Sequence, residues 1–276
     1  EWLPTAVASA RSQDGVRCTV VVVDNASEPE LPSLPDDVCV IRTAERVTAG
    51  QARNVGLDHV QTEFVSFLDA DDLLVPHALA RLAAAVRDDA TIAAAAFSSW
   101  ENHYLETGAV VLRRPAFWRP TPLLSRRGQR LFRAVCVARG LYRSLGAVCR
   151  TEAVRAVGGF GDLNIGETWI LEAKLLLRYR CIQLPGVGSR RRIHTGSLNY
   201  RHIPPAEIAG WRASMDDAIA EHARGRFGLM LTKAYVSHLH SRYERHVRRR
   251  QSHGNPLFAD GRSDEQQAAH LARREA

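Results

Sequence analysis

The chain has 276 residues, 45% of them hydrophobic and 24% charged, which is an ordinary globular composition and enough length for one large or two small domains. Its formal net charge of +7 comes from arginine, because lysine occurs only at Lys174 and Lys233. Such a charge attracts nucleic acid, anionic lipid or phosphorylated ligands. The sequence has no recognition helix, RNA-binding aromatic pattern or zinc-finger spacing, so we expect no nucleic-acid partner.

The cysteines and the apolar runs indicate the compartment. Five scattered cysteines without C-x-x-C spacing argue against a zinc site and against a disulfide framework. No apolar run approaches the ~20 residues that span a bilayer, and no signal peptide is visible. We therefore expect a cytoplasmic protein.

The first half of the chain alternates between strand and helix patterns. Helices are predicted at 1–13, at 49–60 with Thr48 as N-cap, and after Pro76, and strands are predicted at 18–23, 38–41, 64–68 and 92–97. This alternation predicts an α/β sandwich with a mostly parallel central sheet and helices on both faces. Because such a sheet normally opens with a strand, we also expect that an N-terminal strand precedes Glu1 in the natural protein.

The second half is less regular. Arginines and aromatic residues interleave at 113–133, and helices are predicted at 151–157, closed by Gly158-Gly159, and at 167–179. The segments 181–184 and 192–194 are predicted to be extended. Two further helices at 207–226 and 229–250 form a C-terminal helical extension, with a loose polar tail from 251.

An acidic cluster follows the strand predicted at 64–68. Asp69, Asp71 and Asp72 lie around a single alanine at the carboxyl end of an apolar run, where like charges repel one another. A hard divalent cation, Mg²⁺ or Mn²⁺, takes oxygen ligands and would make such a cluster favourable. Open α/β sheets also bind ligands beyond the carboxyl ends of their strands. The alternative is a plain acidic turn, and Asp72 is expected to cap the turn that leads to Pro76.

Six segments carry a family resemblance. They are Val20-Val-Val-Val-Asp-Asn-Ala-Ser27, Ala49-Gly-Gln-Ala-Arg-Asn-Val-Gly56, Phe67-Leu-Asp-Ala-Asp-Asp72, Arg155-Ala-Val-Gly-Gly-Phe160, Glu167-Thr-Trp169 and Arg192-Ile-His-Thr-Gly-Ser197. In this order they closely resemble the family 2 glycosyltransferases with the GT-A fold, over roughly residues 1–200. The resemblance implies a nucleotide-sugar-binding half at 1–110, an acceptor-binding and catalytic half at 111–203, and the helical extension at 204–276.

The resemblance also implies a reaction. A UDP- or dTDP-sugar is bound with Mg²⁺ or Mn²⁺ at its diphosphate, and an acceptor hydroxyl attacks the anomeric carbon with inversion. A metal and an arginine stabilise the charge that develops on the diphosphate, and a base takes the proton of the hydroxyl. The acceptor is left open between a glycan, a lipid-linked glycan, a peptide and a small metabolite.

Residue roles are carried over from the matching motifs. Nucleotide-sugar-binding roles fall to Asp24, Asn25, Arg53, Asp69 and Ala70. Metal-binding roles fall to Asp71 and His194, the latter on a loop that closes over the diphosphate. Ser197 and the arginines at 190–192 would reinforce this closure, or they are surface charge.

The base departs from the family pattern. Family members usually carry Glu-Asp where this chain has Glu167-Thr168, and the aspartate removes the proton. Threonine cannot do so at neutral pH, so we expect Glu167 to be the base, with Asp162 in reserve. Altered chemistry and nucleotide binding without efficient transfer are the open alternatives. A nucleotidyltransferase is disfavoured, because residues 1–110, the expected nucleotide-binding half, contain no glycine-rich loop of the G-x-G-x-x-R type.

The basic segments outside these motifs have two interpretations. Segment 113–133 falls where acceptor-binding loops lie in this fold, or it is a basic surface loop. The C-terminal helices are expected to pack on the domain or on a second subunit, which would make a homo-oligomer. Their terminal arginines would hold the enzyme at the inner face of the membrane, near anionic lipid.

Overall fold

The computed structural model describes residues 2–113, 145–194 and 204–223, together with the single residues Gly225, Leu229, Lys233, Ser237 and Ser241. Several predictions concern residues outside these. They are the arginine-aromatic segment from residue 114 onward, Ser197, most of the helix expected at 229–250, and the tail from 251.

Within the described residues, helices and strands alternate through most of the chain. The helices are α1 (Leu3–Arg11), α2 (Ala49–Asp58), α3 (Ala78–Arg87), α4 (Thr151–Ala156), α5 (Glu167–Arg178) and α6 (Pro205–His222). The strands are β1 (Val21–Asp24), β2 (Cys39–Arg42), β3 (Phe64–Val65), β4 (Asp72–Leu74), β5 (Ile92–Tyr104), β6 (Val110–Arg113), β7 (Val148–Arg150) and β8 (Arg180–Ile193). The predicted α/β architecture is therefore present.

The strands form two sheets. β1 and β2 pair in parallel as one sheet, and the other has the order β3-β7-β5-β8-β4, with β6 on the outer half of β5. The expectation of a mostly parallel sheet needs correction, since in the second sheet only β5 and β8 pair in parallel among the named strands of the described chain. β6 reverses direction through the hairpin after β5. The other antiparallel pairs, β3–β7, β5–β7 and β4–β8, join strands that are far apart in the sequence.

β5 and β8 are the long central strands. The sequence predicted β5 only as far as Phe97 and predicted β8 as two separate extended pieces, but the two strands pair from Ile92–Arg180 to Tyr104–Ile193. Register shifts between Ile92 and Glu101 absorb one extra residue of β5 and then two extra residues of β8. The outer halves of both strands carry many polar side chains. Their sequences therefore lack the apolar alternation from which a strand is predicted.

The core lies on both faces of β5. Ala94 and Ala96 face a cluster that contains α5 and α6, whereas Ala95 and Phe97 face a cluster built on α3. Alternate residues of a strand point to opposite faces, so one strand of small residues lets helices approach from both sides. The helix predicted after Pro76 is α3, and its Leu79, Leu82 and Val86 are buried in the second of these clusters.

Helix α6 packs on the domain through α5. Trp211, Met215, Ala218 and Ile219 are buried in the same cluster as the inner side of α5. Among the residues described, no helix combines the length and the apolar character needed to cross a membrane.

Candidate functional site

Helix α2 is the centre of the site, and each polar or glycine position of its motif has a contact. Thr48 Oγ1 accepts a hydrogen bond from Gln51 N (3.2 Å) and forms the predicted N-cap as a full capping box. Gly50 is required because a Cβ there would lie 1.7 Å from the carbonyl oxygen of Gly161. Asn54 bonds both the N–H and the carbonyl of Phe160. These contacts fix the face of α2 that carries the next residue of interest.

Arg53 joins two carboxylates from distant parts of the chain. Its guanidinium donates to Glu167 Oε1 at 2.6 Å and to Asp69 Oδ1 at 2.5 Å. It also lies 5.5 Å from the centroid of the Phe160 ring, which packs edge-on against Phe67. The structure thus brings three of the predicted site residues, from α2, the turn after β3 and the start of α5, into direct contact.

Burial sets the protonation behaviour of this group. Burial raises the pKa of Glu167, Asp69 raises it as well, and Arg53 offsets only part of the increase. Burial acts to lower the pKa of Arg53, but the charges of Asp69 and Glu167 outweigh it and the pKa is raised. Arg53 therefore stays protonated, while Glu167 is a carboxylate that takes up a proton more readily than an exposed glutamate does.

The acidic turn lies beside the end of β8. Asp71 Oδ2 is 3.2 Å from His194 Nε2, so the two residues predicted to bind metal are adjacent. Carboxylate oxygens of Asp69, Asp71 and Asp72 lie within 4.8 Å of one another. Asp72 is buried, begins β4, and accepts a hydrogen bond from Arg192 N. The sequence predicted that Asp72 caps the turn toward Pro76, and the structure shows that its carboxylate bonds the backbone of the neighbouring strand β8.

The donor set fits a hard divalent cation. Asp69 and Asp71 each have a second carboxylate oxygen beyond the one named above, and an imidazole nitrogen lies beside Asp71. Carboxylate oxygens with one imidazole suit Mn²⁺, and carboxylate oxygens alone suit Mg²⁺. Asp71 and His194 are the pair that would hold the ion.

Arg192 is a contributor that sequence reasoning placed wrongly. The residue was expected either to close over an anion or to lie on the surface, but it is buried and its guanidinium donates to the backbone oxygen of Asp71, to Thr5 Oγ1 (2.7 Å) and to the carbonyl of Trp2 (3.1 Å). The Trp2 ring in turn lies 5.7 Å from the His194 ring. The spacing of these residues does not predict the contact, because Arg192 lies far along the chain from Trp2 and Thr5.

Asp24 and Asn25 form a second polar group at the end of β1. The buried Asp24 accepts from Ser27 N at 3.0 Å and from Arg42, and although burial acts to raise its pKa, these partners lower it. Asn25 bonds the N–H and the carbonyl of Val47 through its amide. These side chains hold the segment after β2 against β1, and within the described residues they make no hydrogen bond to Arg53 or to the acidic turn.

The remaining predicted positions have plain surroundings. Ala70 is exposed at the tip of the acidic turn. Asp162, the reserve base, accepts hydrogen bonds from Thr48 (2.7 Å) and Gln51 (3.0 Å), so it holds the start of α2. Thr168 follows Glu167 in the first turn of α5.

Similarity to solved structures identifies the fold. The S. aureus TarS 1–349 structure aligns with 96% of this chain and 73% of its own at a TM-score of 0.64 and 17% identity. The TarS 1–349 complex with UDP aligns with 86% of this chain and 66% of its own at a TM-score of 0.63 and 18% identity. At such identities the similarity concerns the fold, and the predicted GT-A type sandwich is confirmed.

Similarity in sequence identifies the family. Succinoglycan biosynthesis protein ExoO of Rhizobium meliloti (strain 1021) is 37% identical over 82 residues, which are 28% of this chain and 24% of that protein. The chain thus spans about a quarter of the length of this relative. The model of the family described as glycosyl transferase family 2 matches residues 1–142, just over half of the 276. The chain therefore belongs to glycosyl transferase family 2, as its motifs predicted.

Proposed function

We propose that this family 2 glycosyltransferase transfers a sugar from a nucleotide-diphosphate donor of the UDP or dTDP type to an acceptor hydroxyl, with inversion and with Mg²⁺ or Mn²⁺. The observation that carries the proposal is the convergence of Arg53, Asp69 and Glu167 beside the Asp71–His194 pair. The buried Glu167, the positively charged Arg53 and the carboxylates of the acidic turn meet at one edge of the sheet. Such a group can stabilise the negative charge that develops on a leaving diphosphate.

Separate residues serve the donor in this proposal. Asp24 and Asn25 lie where the nucleotide base would bind, and Asp69 and Ala70 lie where the ribose would bind. Asp71 and His194 would hold the cation, which would neutralise charge on the diphosphate. The division into a donor half at 1–110, an acceptor half at 111–203 and an extension at 204–276 belongs to the same proposal.

Glu167 is proposed as the base. A bond forms between the acceptor oxygen and the anomeric carbon, the bond from that carbon to the diphosphate oxygen breaks, and the proton of the hydroxyl passes to Glu167. Its raised pKa moves it toward the range in which a general base works well. Arg53 holds the Glu167 carboxylate in one orientation and favours its ionised form, because its charge acts to lower the pKa of Glu167.

A second candidate function has its own observation. Thr168 stands where the family carries the aspartate base, and Glu167 is already engaged with Arg53. A chain that binds nucleotide sugar without efficient transfer would have this arrangement. The two candidates differ in turnover and agree in binding.

Binding and turnover are therefore measured separately. UDP, dTDP and GDP are added to the purified protein with and without Mn²⁺, and we expect UDP or dTDP with Mn²⁺ to raise the melting temperature, because a ligand of the folded state stabilises it by mass action. Hydrolysis of the corresponding UDP-sugar is then followed by UDP release.

We expect Glu167→Gln to reduce UDP release by about 10²–10⁴-fold, the usual contribution of a general base, while UDP still raises the melting temperature. Asp162→Asn serves as the control carboxylate and should retain far more activity. Binding without turnover in the wild-type chain would favour the second candidate, and no response to any nucleotide would contradict both.

A further inference from the structure

Three consecutive arginines, Arg190, Arg191 and Arg192, lie near the end of β8. Strand alternation places the middle one on the opposite face of the sheet from the other two. Arg190 Nε donates to Glu101 Oε2 at 3.1 Å, and Arg192 reaches Thr5 and Trp2 at the start of α1. Neighbouring residues of a strand point to opposite faces. Arg190 and Arg192 thus lie on the face of the sheet that α1 covers, and each has an acceptor there.

Arg191 lies on the opposite face. It is directly across from Asp72 of β4 and from Asn102 of β5, and residues paired in this way share a face. Further back on β5, Ala94 and Ala96 point to the same face and pack in the cluster that contains α5. Because α5 begins with Glu167, Arg191 belongs to the face on which the proposed base lies.

Helix α5 does not extend as far as Arg191. Its 12 residues span about 18 Å, whereas the 14 residues of β8 span about 46 Å. Since only one residue separates the end of α5 from the start of β8, the helix runs back over the first half of that strand only. The sheet face that carries Arg191 therefore continues past Glu167, the first residue of the helix.

Arg191 has unused donors in the described part of the chain. It is half-buried, and no hydrogen bond or ion pair joins it to the residues described, although Asp72 lies directly across the strand pair. Arg53 is bonded to two carboxylates and Arg192 to three oxygens. The planar donors of a guanidinium in this position match a phosphate or carboxylate.

We propose that Arg191 binds an anionic group, phosphate or carboxylate, of a substrate on the α5 face of the sheet. The proposal rests on the proposed function and narrows its substrate. Two sources share this chemistry, the diphosphate of the donor and an anionic group of the acceptor. Arg53 is already engaged, so Arg191 is the arginine beside the acidic turn with donors to offer.

Arg191→Gln is compared with Arg190→Gln, which removes the same charge one residue away on the other face. UDP with Mn²⁺ is titrated calorimetrically into each protein, and inorganic phosphate is then titrated into the UDP-saturated proteins. Arg191→Gln should weaken one of the two ligands at least tenfold, and Arg190→Gln should leave both within twofold. Weaker UDP binding assigns Arg191 to the donor diphosphate, and loss of phosphate binding with unchanged UDP binding assigns it to the acceptor.

Equal affinities of wild type and Arg191→Gln for both ligands would overturn the inference and leave the proposed function standing. Failure of the wild-type chain to bind UDP would contradict the proposed function. The phosphate titration is then made without UDP, and a lack of difference between Arg191→Gln and wild type there would overturn the role of Arg191 as well.

Discussion

At Arg53, one side chain determines the state of two carboxylates. Its guanidinium bonds Glu167 and Asp69 while only 19% of the side chain is exposed. Two partly buried like charges would otherwise repel, and one of them would take up a proton. Arg53 therefore has two effects, since it holds the acidic turn against α5 and keeps Glu167 available to accept a proton.

This coupling predicts a shift in the pH profile. The proposed base Glu167 would accept a proton only when it is ionised, so we expect activity to be lost as the pH falls through its folded-state pKa. Because burial raises that pKa, the acid limb of kcat should lie above about 4.3, the value of an ordinary glutamate. Arg53→Met removes a contribution that lowers the pKa, so the limb should move to higher pH.

The measurement is kcat for UDP-sugar hydrolysis against pH in the wild type and in Arg53→Met. Asp162→Asn is again a suitable control, because Asp162 contacts Thr48 and Gln51 and is not among the partners of Glu167. An acid limb at the same pH in wild type and Arg53→Met would show that Glu167 is not the titrating group.

At the scale of elements, α6 supports the start of α5. Gly166, the N-cap of α5, has a left-handed φ of 79°, and a Cβ on it would lie 2.5 Å from the indole of Trp211. Trp211 also packs against Trp169 with ring centroids 5.0 Å apart. Gly166, the residue before the proposed base, thus packs against Trp211 of α6, a helix much later in the sequence.

Gly166→Ala should lower both stability and activity. A left-handed alanine costs roughly 1–2 kcal/mol, and Trp211 must also move, which displaces the first turn of α5 and Glu167 with it. Gly108→Ala is the matched control, because Gly108 has a φ of 70° and no atom within 4 Å of its added Cβ. Urea unfolding and UDP-sugar hydrolysis distinguish the two.

Gly108→Ala should show the conformational cost alone, with kcat unchanged. Equal loss of stability in the two variants, together with full activity of Gly166→Ala, would mean that α6 has no influence on the position of Glu167.

At the scale of the whole molecule, Arg192 links the first helix to the far end of the sheet. It bonds the carbonyl of Trp2 and the hydroxyl of Thr5, and on its other side it bonds the backbone of Asp71. Trp2 extends the contact to His194 by ring packing. The geometry of the Asp71–His194 pair therefore depends on α1, although α1 supplies no ligand.

Arg192→Met should destabilise the fold and weaken cation binding together. Loss of hydrogen bonds from a buried charged group costs about 2–4 kcal/mol, and urea unfolding measures this loss. The affinity for Mn²⁺ should also fall, and it is measured by titrating Mn²⁺ into the protein and following the signal of the free ion. Arg190→Met is the control, because an exposed pair such as Arg190–Glu101 contributes about 0–1 kcal/mol. Unchanged Mn²⁺ affinity in Arg192→Met would exclude this link.

The sequence by itself determined the family and the α/β alternation. The Thr48 N-cap and the helix starting at Glu167 follow from short segments, because local patterns report local structure. The roles of Arg53, Asp71 and His194 stay predictions carried over from the motifs. The six motifs needed no tertiary information to be ordered along the chain.

The tertiary structure decided which residues meet. The Arg53–Glu167 bond, the Arg192 contacts with α1, and the different surroundings of Arg190, Arg191 and Arg192 join positions far apart in the sequence or depend on strand register. A register shift of one residue would exchange the faces of all three arginines, and no local pattern of polar residues specifies it. The mixed parallel and antiparallel order of the sheet also depends on long-range pairing. The central pair, β5 and β8, is covered by helices on both faces.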